Sequence, residues 1–333
     1  MVRSVRIGYF TTAVQRDGDR PDSRGHWAIH LMQTTSFLRT LTRPRAVAMF
    51  LLGALAPAGR AEPFPPLHAS VSAEHIPGKF VWVDLFTTDP VAATKFYTGL
   101  FGWTADVSTQ NGKSYTTFRN AGRPVAGLAP RPAAKAGRPS RWIGYIAVAD
   151  LATTLPRVLP ASGQVRAAAR EFPRRGTQAI IADNEGATVG LLQSGSGEAA
   201  DVEPAPGDWN WFVLYVKNPR VVAGFYREIF GYDVAPDLRT ERNDDFLLSS
   251  GGLARAGVVP LPIRDDAQSG WLGVVRVANL DDTLRRAVAL GGEVLLPPRP
   301  VAYESRFAIV GDPTGGSVGL VEYVDNANPA NRP

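Results

Sequence analysis

The pattern of hydrophobic and polar positions is clearest at residues 80–103, which read FVWVDLFTTDPVAATKFYTGLFGW. Residues 80–86 form a β-branched and aromatic run that predicts a strand. Asp89 can cap a helix that begins at Pro90, where a missing N–H costs nothing. The next apolar residues share one helical face, and Gly102 permits a left-handed exit. This stretch therefore predicts a strand followed by a helix.

The same pattern returns at residues 209–232 as WNWFVLYVKNPRVVAGFYREIFGY, at an offset of 129 residues. The offset persists far downstream. Pairs that match at this offset include Trp82 with Trp211, Trp142 with Trp271, Asp183 with Asp312, and Gly190 with Gly319. A period this long indicates duplicated whole domains rather than short structural repeats.

Each copy is predicted to run β-α-β-β-β twice. In the first copy, Asn111-Gly112 indicates a hairpin, and Pro156 should shorten or bend the second helix. Four polar residues are predicted to be helix caps: Asp89, Asp150, Asn218 and Asn279. The predicted organisation is a leader at 1–61, a flexible tether at 62–77, a first domain at 78–194, a linker at 195–207, a second domain at 208–325 and a tail at 326–333.

The positive charge of the chain lies in the leader. Nine arginines and three aspartates give residues 1–61 a charge of +6, so residues 62–333 sum to −1 in a chain of +5. The folded part therefore gives no electrostatic support for nucleic-acid binding.

The leader also contains the apolar run AVAMFLLGALA at 46–56, preceded by arginines and followed by small residues. This pattern predicts a signal peptide at about 32–61 and a periplasmic or secreted protein, and it is too short for a stable membrane span. Translation from Met32 would give a signal of ordinary length. The alternative is a cytoplasmic protein with an N-terminal extension.

Three motifs in each copy resemble the vicinal oxygen chelate superfamily, which includes glyoxalase I, bleomycin-resistance proteins and extradiol dioxygenases. In the first copy the motifs are DPVAATKFYTGLFGW, WIGYIAVADL at 142–151 and DNEGATVGLLQ. In the second copy they are NPRVVAGFYREIFGY, WLGVVRVANL and GDPTGGSVGLVE. The resemblance implies an α+β fold in which each domain pairs two βαβββ modules into a curved mixed-sheet cup. It also implies intramolecular pairing of the two domains in a monomer.

Enzymes of this superfamily hold a divalent metal in the cup. The positions that match their ligands are Trp82 and Trp211, then Trp142 or Ile143 and Trp271 or Leu272, then Gly190 and Gly319. None of these side chains binds a metal. All four histidines precede residue 76, and the chain has no cysteine. We therefore expect no metal and no other cofactor.

Trp82, Trp142, Trp211 and Trp271 are expected to line the cups, with glycines making room opposite, and aromatic cups suit a flat small molecule. The alternative is that the tryptophans fill the cups as core.

Other polar residues could serve a ligand. Asp84 shares a strand face with Trp82 and could act as an acid or base, although a hydrogen-bonded structural role is the favoured interpretation. Tyr145 and Tyr115 could donate to a ligand oxygen, or pack in the core. Arg306 could meet an anionic ligand, or lie solvated at a strand end.

These features support three functional hypotheses. The first is a metal-free protein that binds a small aromatic or planar molecule, as bleomycin-resistance proteins sequester theirs. The second is a metal-independent lyase, isomerase or hydrolase that uses Asp84. The third is a structural or interaction module with filled cups. Binding is the leading hypothesis.

Overall fold

The computed structural model describes residues 74–110, 112–131, 139–238, 240, 242–262, 268–301 and 305–323. The predicted leader at 1–61, most of the tether and the tail at 326–333 lie outside these residues, as does the predicted signal peptide. No helix in the described part of the chain is long and apolar enough to cross a membrane.

The first domain is one eight-stranded mixed sheet with two helices. Its elements are β1 (Phe80–Thr87), α1 (Pro90–Phe101), β2 (Thr104–Gln110), β3 (Lys113–Asn120), β4 (Arg123–Pro130), β5 (Arg141–Ala147), α2 (Leu151–Thr154), β6 (Gln164–Phe172), β7 (Gly176–Ala182) and β8 (Thr188–Ser194). The strand order is β2-β3-β4-β1-β5-β8-β7-β6. Strand β1 is parallel to β4 and antiparallel to β5. The two βαβββ modules therefore meet at β1 and β5.

The second domain repeats this arrangement. Its elements are β9 (Trp209–Val216), α3 (Pro219–Phe230), β10 (Asp233–Pro236), β11 (Phe246–Ser250), β12 (Leu253–Pro260), β13 (Gly270–Arg276), α4 (Leu280–Ala289), β14 (Glu293–Val301), β15 (Ser305–Gly311) and β16 (Ser317–Glu322). The order β10-β11-β12-β9-β13-β16-β15-β14 matches the first sheet strand for strand. The predicted duplication and α+β fold are confirmed.

The helix ends follow the sequence signals with one exception. The side chains of Asp89, Asp150 and Asn279 each accept a hydrogen bond from a backbone N–H in the first helical turn. Asn218 does not. Glu185 of the first domain instead accepts from the backbone N–H of Asn218, so the cap comes from another domain. Asn218 therefore occupies the predicted cap position, but the predicted side-chain hydrogen bond is not made.

Proline shortens α2, as predicted. The helix ends at Thr154 and continues only as a 3-10 turn at Leu155–Arg157, whereas its counterpart α4 is ten residues long. Proline in a helix interior removes a hydrogen bond and clashes with the preceding turn.

The helical faces of both sheets pack into one continuous hydrophobic core. Two buried hydrogen bonds cross it in a symmetrical way. Tyr97 donates to Asp312 at 2.7 Å, and Tyr226 donates to Asp183 at 3.2 Å. The domains are thus paired within one chain. The opposite face of each sheet carries a separate cluster, which we call the first cup and the second cup.

Candidate functional site

Strand alternation decides which predicted residues reach the cups. Trp82 belongs to the cluster of the first cup and Trp211 to that of the second. Trp142 and Trp271 lie on the helical faces instead, because they pair across the sheet with Leu85 and Leu214. Cross-strand partners share a face.

The expectation that Trp142 and Trp271 line the cups is therefore wrong. The indole N–H of Trp142 donates to Tyr97 at 2.8 Å, and that of Trp271 donates to Tyr226 at 2.9 Å. Both tryptophans belong to the shared core. Their sequence neighbours Ile143 and Leu272 occupy the cup faces.

The first cup contains a buried polar cluster around Asp84. Its Oδ1 accepts from Trp82 Nε1 at 2.7 Å and from the Tyr115 hydroxyl at 2.6 Å. Arg175 Nη1 donates to the Tyr115 hydroxyl at 2.9 Å. The guanidinium carbon of Arg175 also lies 4.6 Å from the centre of the Trp82 ring. Arg175 is only 2% exposed, and no motif or pattern in the sequence points to it.

The electrostatics of this cluster favour one protonation pattern. Burial, and then the negative charge of Asp84, raises the pKa of Tyr115 and of Tyr145 above the ordinary tyrosine value. Burial works against the charged form of Arg175, but the adjacent Tyr115 and Asp84 outweigh it and leave its pKa raised. The tyrosines are therefore hydrogen-bond donors beside a guanidinium cation.

Glycines make room for these side chains rather than for a ligand. A Cβ on Gly127 would lie 1.8 Å from the Tyr115 hydroxyl and 2.2 Å from Asp84 Oδ1. A Cβ on Gly190 would lie 2.2 Å from the ring of Tyr145, which is 3% exposed. The expectation that Gly190 opens space for a ligand is thus corrected, because Tyr145 occupies that space.

The second cup has an apolar lining. Its buried side chains are Trp211, Val213, Leu272, Val274, Phe307 and Val321. Partly exposed hydrophobic residues pack around them, namely Tyr215, Leu247, Ala254, Val259, Leu296, Val301, Ile309 and Tyr323. A sheet face of this composition, without a helix packed over it in the described residues, resembles a ligand pocket more than a polar surface.

Trp211 lacks the hydrogen bonds of its counterpart Trp82. Within the described residues its Nε1 is buried and has no hydrogen-bond partner. Val213 stands where the first domain has Asp84. Gly257 lies beside the indole, and a Cβ there would be 3.5 Å from Trp211 Nε1.

Arg306 does not face the second cup. On β15, Phe307 and Ile309 point to the cup, whereas Arg306 bonds Asp281 of α4 at 2.8 Å and Glu322 at 3.3 Å. The hydrogen bond to Asp281 is the main cause of its raised pKa. Alternation places Arg306 on the helical face, so it cannot meet an anionic ligand in the cup, and its partners there are the carboxylates of Asp281 and Glu322.

The residues present do not fit the metal that the fold family implies. The cup positions that match metal ligands hold Trp82 and Trp211, Ile143 and Leu272, and Gly190 and Gly319, which supply no carboxylate, imidazole or thiolate. Residues 74–323, apart from the gaps given above, hold no group of three or more His, Cys, Asp or Glu that could surround an ion.

A groove lies outside both cups, on the helical side of the first sheet. It is a shallow groove of about 500 Å³ lined by Asp150, Leu151, Ala152, Leu155, Pro156, Ala169, Thr177 and Gln193. The short α2 leaves this part of the sheet uncovered.

Family models match both halves of the chain. Residues 79–191 match the Glyoxalase/Bleomycin resistance protein/Dioxygenase superfamily, and residues 211–321 match a Glyoxalase-like domain. "Putative glyoxylase CFP32" of Mycobacterium tuberculosis (strain CDC 1551 / Oshkosh) is 32% identical over 253 residues, which cover 75% of this chain and 97% of that protein. "Anthracycline biosynthesis protein DnrV" of Streptomyces peucetius is 32% identical over 259 residues, or 74% and 94% of the two chains.

Solved structures agree on the fold. The Mn(II)-bound glyoxalase from Novosphingobium aromaticivorans has a TM-score of 0.52 and 16% identity, covering 75% of this chain and 83% of its own. The 2,2',3-trihydroxybiphenyl 1,2-dioxygenase from Sphingomonas wittichii strain RW1 has a TM-score of 0.51 and 16% identity, covering 74% and 90%. From its duplicated cups and these relatives, the chain belongs to the Glyoxalase/Bleomycin resistance protein/Dioxygenase superfamily.

Proposed function

We propose that this protein binds a small planar or aromatic molecule without using a metal. The observation that carries the proposal is the apolar, aromatic cup of the second domain, which contains two of the positions that the family resemblance matches to metal ligands, Trp211 and Leu272. Apolar side chains with a few polar groups are the usual lining of a small-molecule site.

The relatives are compatible with this proposal. DnrV and the protein DauV are named for anthracycline biosynthesis, and anthracyclines are fused-ring aromatic compounds. Trp211 and Phe307 supply two aromatic rings to the second cup. Aromatic rings bind one another by stacking or edge contacts, so these rings suit a flat ring system. Sequestration of such a compound outside the cytoplasm remains our proposal for the role of the protein.

The catalytic alternative based on Asp84 has weaker support. Oδ1 of Asp84 already accepts two hydrogen bonds, and Arg175 lies within the same cluster. A carboxylate held in this way positions its neighbours. Asp84 as an acid or base in a lyase, isomerase or hydrolase stays a prediction.

The interaction-module alternative fits the first cup better than the second. The first cup is filled by the buried side chains of its own residues, namely Trp82, Tyr115, Tyr145 and Arg175. The second cup has no comparable polar cluster among the described residues and is bordered by partly exposed hydrophobic residues.

Two measurements test the proposed function. Native mass spectrometry of protein purified from its own host should show an organic ligand of a few hundred daltons. A panel of planar aromatic compounds should quench tryptophan fluorescence, and EDTA should not change the affinities. For a ligand of about 20 non-hydrogen atoms at about 0.3 kcal/mol each, the expected Kd is about 40 µM. The proposal fails if no organic ligand is retained and no panel member binds, or if binding requires an added divalent metal.

A further inference from the structure

The two cups treat equivalent tryptophans differently. Trp82 donates its indole N–H to Asp84 at 2.7 Å and also to the Tyr115 hydroxyl at 3.1 Å. Trp211 is 3% exposed, and its indole N–H has no acceptor within the described residues. Buried donors are nearly always paired in folded proteins, so an unpaired one calls for an explanation.

The strand register shows how the difference arises. Asp84 lies beside Gly127 on β4, and Val213 lies beside Gly257 on β12. Asp84 and Val213 therefore occupy equivalent positions. The second domain has a valine where the first has the carboxylate that accepts the indole N–H. It has kept the glycine, where an added Cβ would lie 3.5 Å from Trp211 Nε1, an ordinary van der Waals contact.

The first cup contains an internal substitute for a ligand. The guanidinium of Arg175 lies 4.6 Å from the Trp82 ring and 5.2 Å from the Tyr115 ring, as a flat cationic ligand would. No described residue stacks a guanidinium on Trp211. The first cup is thus closed by its own chain, and its tryptophan is satisfied.

We propose that the second cup alone is the ligand site, and that it takes one planar aromatic molecule whose carbonyl oxygen accepts a hydrogen bond from Trp211 Nε1. This rests on the proposed function and adds to it the exclusion of the first cup, the stoichiometry and the polar group that the ligand carries. The ligand supplies the acceptor that Asp84 supplies in the first cup. The preference for a carbonyl compound follows because an indole N–H is a donor only.

Two probes of similar shape test the hydrogen bond. Anthraquinone-2-sulfonate has ring carbonyl oxygens, and anthracene-2-sulfonate has none. In calorimetric titrations the quinone should bind one molecule per chain, about three- to tenfold more tightly than the anthracene. Trp211→Phe keeps an aromatic ring and removes the N–H, so it should reduce the quinone affinity to the level of the anthracene and change the anthracene affinity little.

Trp82→Phe makes the same change in the first cup and reports whether the ligand lies there. It should leave the quinone affinity within about twofold, provided that its melting curve shows a folded protein. Arg175→Met replaces the guanidinium beside Trp82 by an apolar side chain and keeps both indoles, so it provides the same information if Trp82→Phe does not fold.

The indole N–H resonance of Trp211 gives a readout that does not depend on affinity. Comparison with Trp211→Phe assigns it in a ¹⁵N spectrum, and it should move downfield with the quinone but not with the anthracene. Two bound molecules per chain, equal affinities for the two probes, or loss of binding in Trp82→Phe would each overturn this inference and leave the proposed function standing. If neither probe binds and the wider panel also fails, the proposed function itself is overturned.

Discussion

Replacing Asp84 by Val, the residue of the second domain, tests the view that this carboxylate holds the first cup together. The change removes the Asp84 acceptor of Trp82 Nε1 and of the Tyr115 hydroxyl, and it removes the carboxylate whose charge favours the buried Arg175 cation. Removing one partner of a buried charge cluster typically costs about 3–5 kcal/mol. We expect Asp84→Val to lower the free energy of unfolding by about that amount.

Two further variants separate the charge from the hydrogen bonds. Asp84→Asn keeps an oxygen acceptor and loses the negative charge, so it should cost less, about 1–3 kcal/mol. The double variant Asp84→Val/Arg175→Met removes both charges and keeps an apolar side chain against the Trp82 ring. Because it leaves no buried cation, it should be more stable than the sum of the single changes predicts, by about 0.5–3 kcal/mol.

Urea unfolding followed by tryptophan fluorescence and circular dichroism measures these differences. The hydrophobic core runs through both domains, so one cooperative transition is expected. The reasoning is refuted if Asp84→Val costs less than about 1 kcal/mol, or if the two changes are simply additive in the double variant.

Two other predictions concern packing and pH. Gly190→Ala should destabilise the protein by about 1–3 kcal/mol because the new Cβ would lie 2.2 Å from the ring of Tyr145. Gly224→Ala, at a helical position with nothing within 4 Å, should stabilise it by about 0.4–1 kcal/mol. Thermal unfolding compares the two variants, and equal effects would contradict the steric argument. Burial opposes ionisation of Asp201, but hydrogen bonds from Arg255 and Lys79 outweigh it and lower the pKa of Asp201 below the ordinary 3.8. The ionised carboxylate therefore stabilises the folded protein above pH 3.8, and this stabilisation is lost as the pH falls through the lowered pKa. The free energy of unfolding of the wild type should exceed that of Asp201→Asn by less in acid, and a difference independent of pH would contradict this assignment.

The fold could be predicted from the sequence because its signals are local and repeated. The proline at the start of α1 and the glycine after it are local signals. The constant offset repeats the same kind of signal in the second domain. The cap of α3 could not be predicted in this way. Glu185 reaches the N–H of Asn218 only after the two domains have packed together.

The site was predicted in part. Trp82 and Trp211 reach the cups, whereas Trp142 lies on the helical face. Six consecutive residues of β5 are buried, so the alternation of apolar and polar residues does not show which face Trp142 occupies. Arg175 follows another arginine in a tight turn, which in sequence resembles a solvated loop. Its burial depends on Asp84 and Tyr115, which come from distant strands.

One signal for the second cup was present in the sequence. Asp84 corresponds to Val213 at the offset of 129 residues, and an acid present in one copy only favours the acid or base role expected above for Asp84. The structure gives it the opposite significance, because the acid satisfies its own cup and the valine leaves Trp211 without an acceptor. That consequence depends on the distance between an indole nitrogen and its neighbours, which no sequence pattern contains.

The most direct test of the account is a crystal structure of the protein grown with anthraquinone-2-sulfonate. We predict one planar molecule per chain in the second cup, packed on Trp211, with a ring carbonyl oxygen within hydrogen-bond distance of Nε1. Density in the first cup with Arg175 displaced, or in the groove beside α2 with both cups empty, would contradict it.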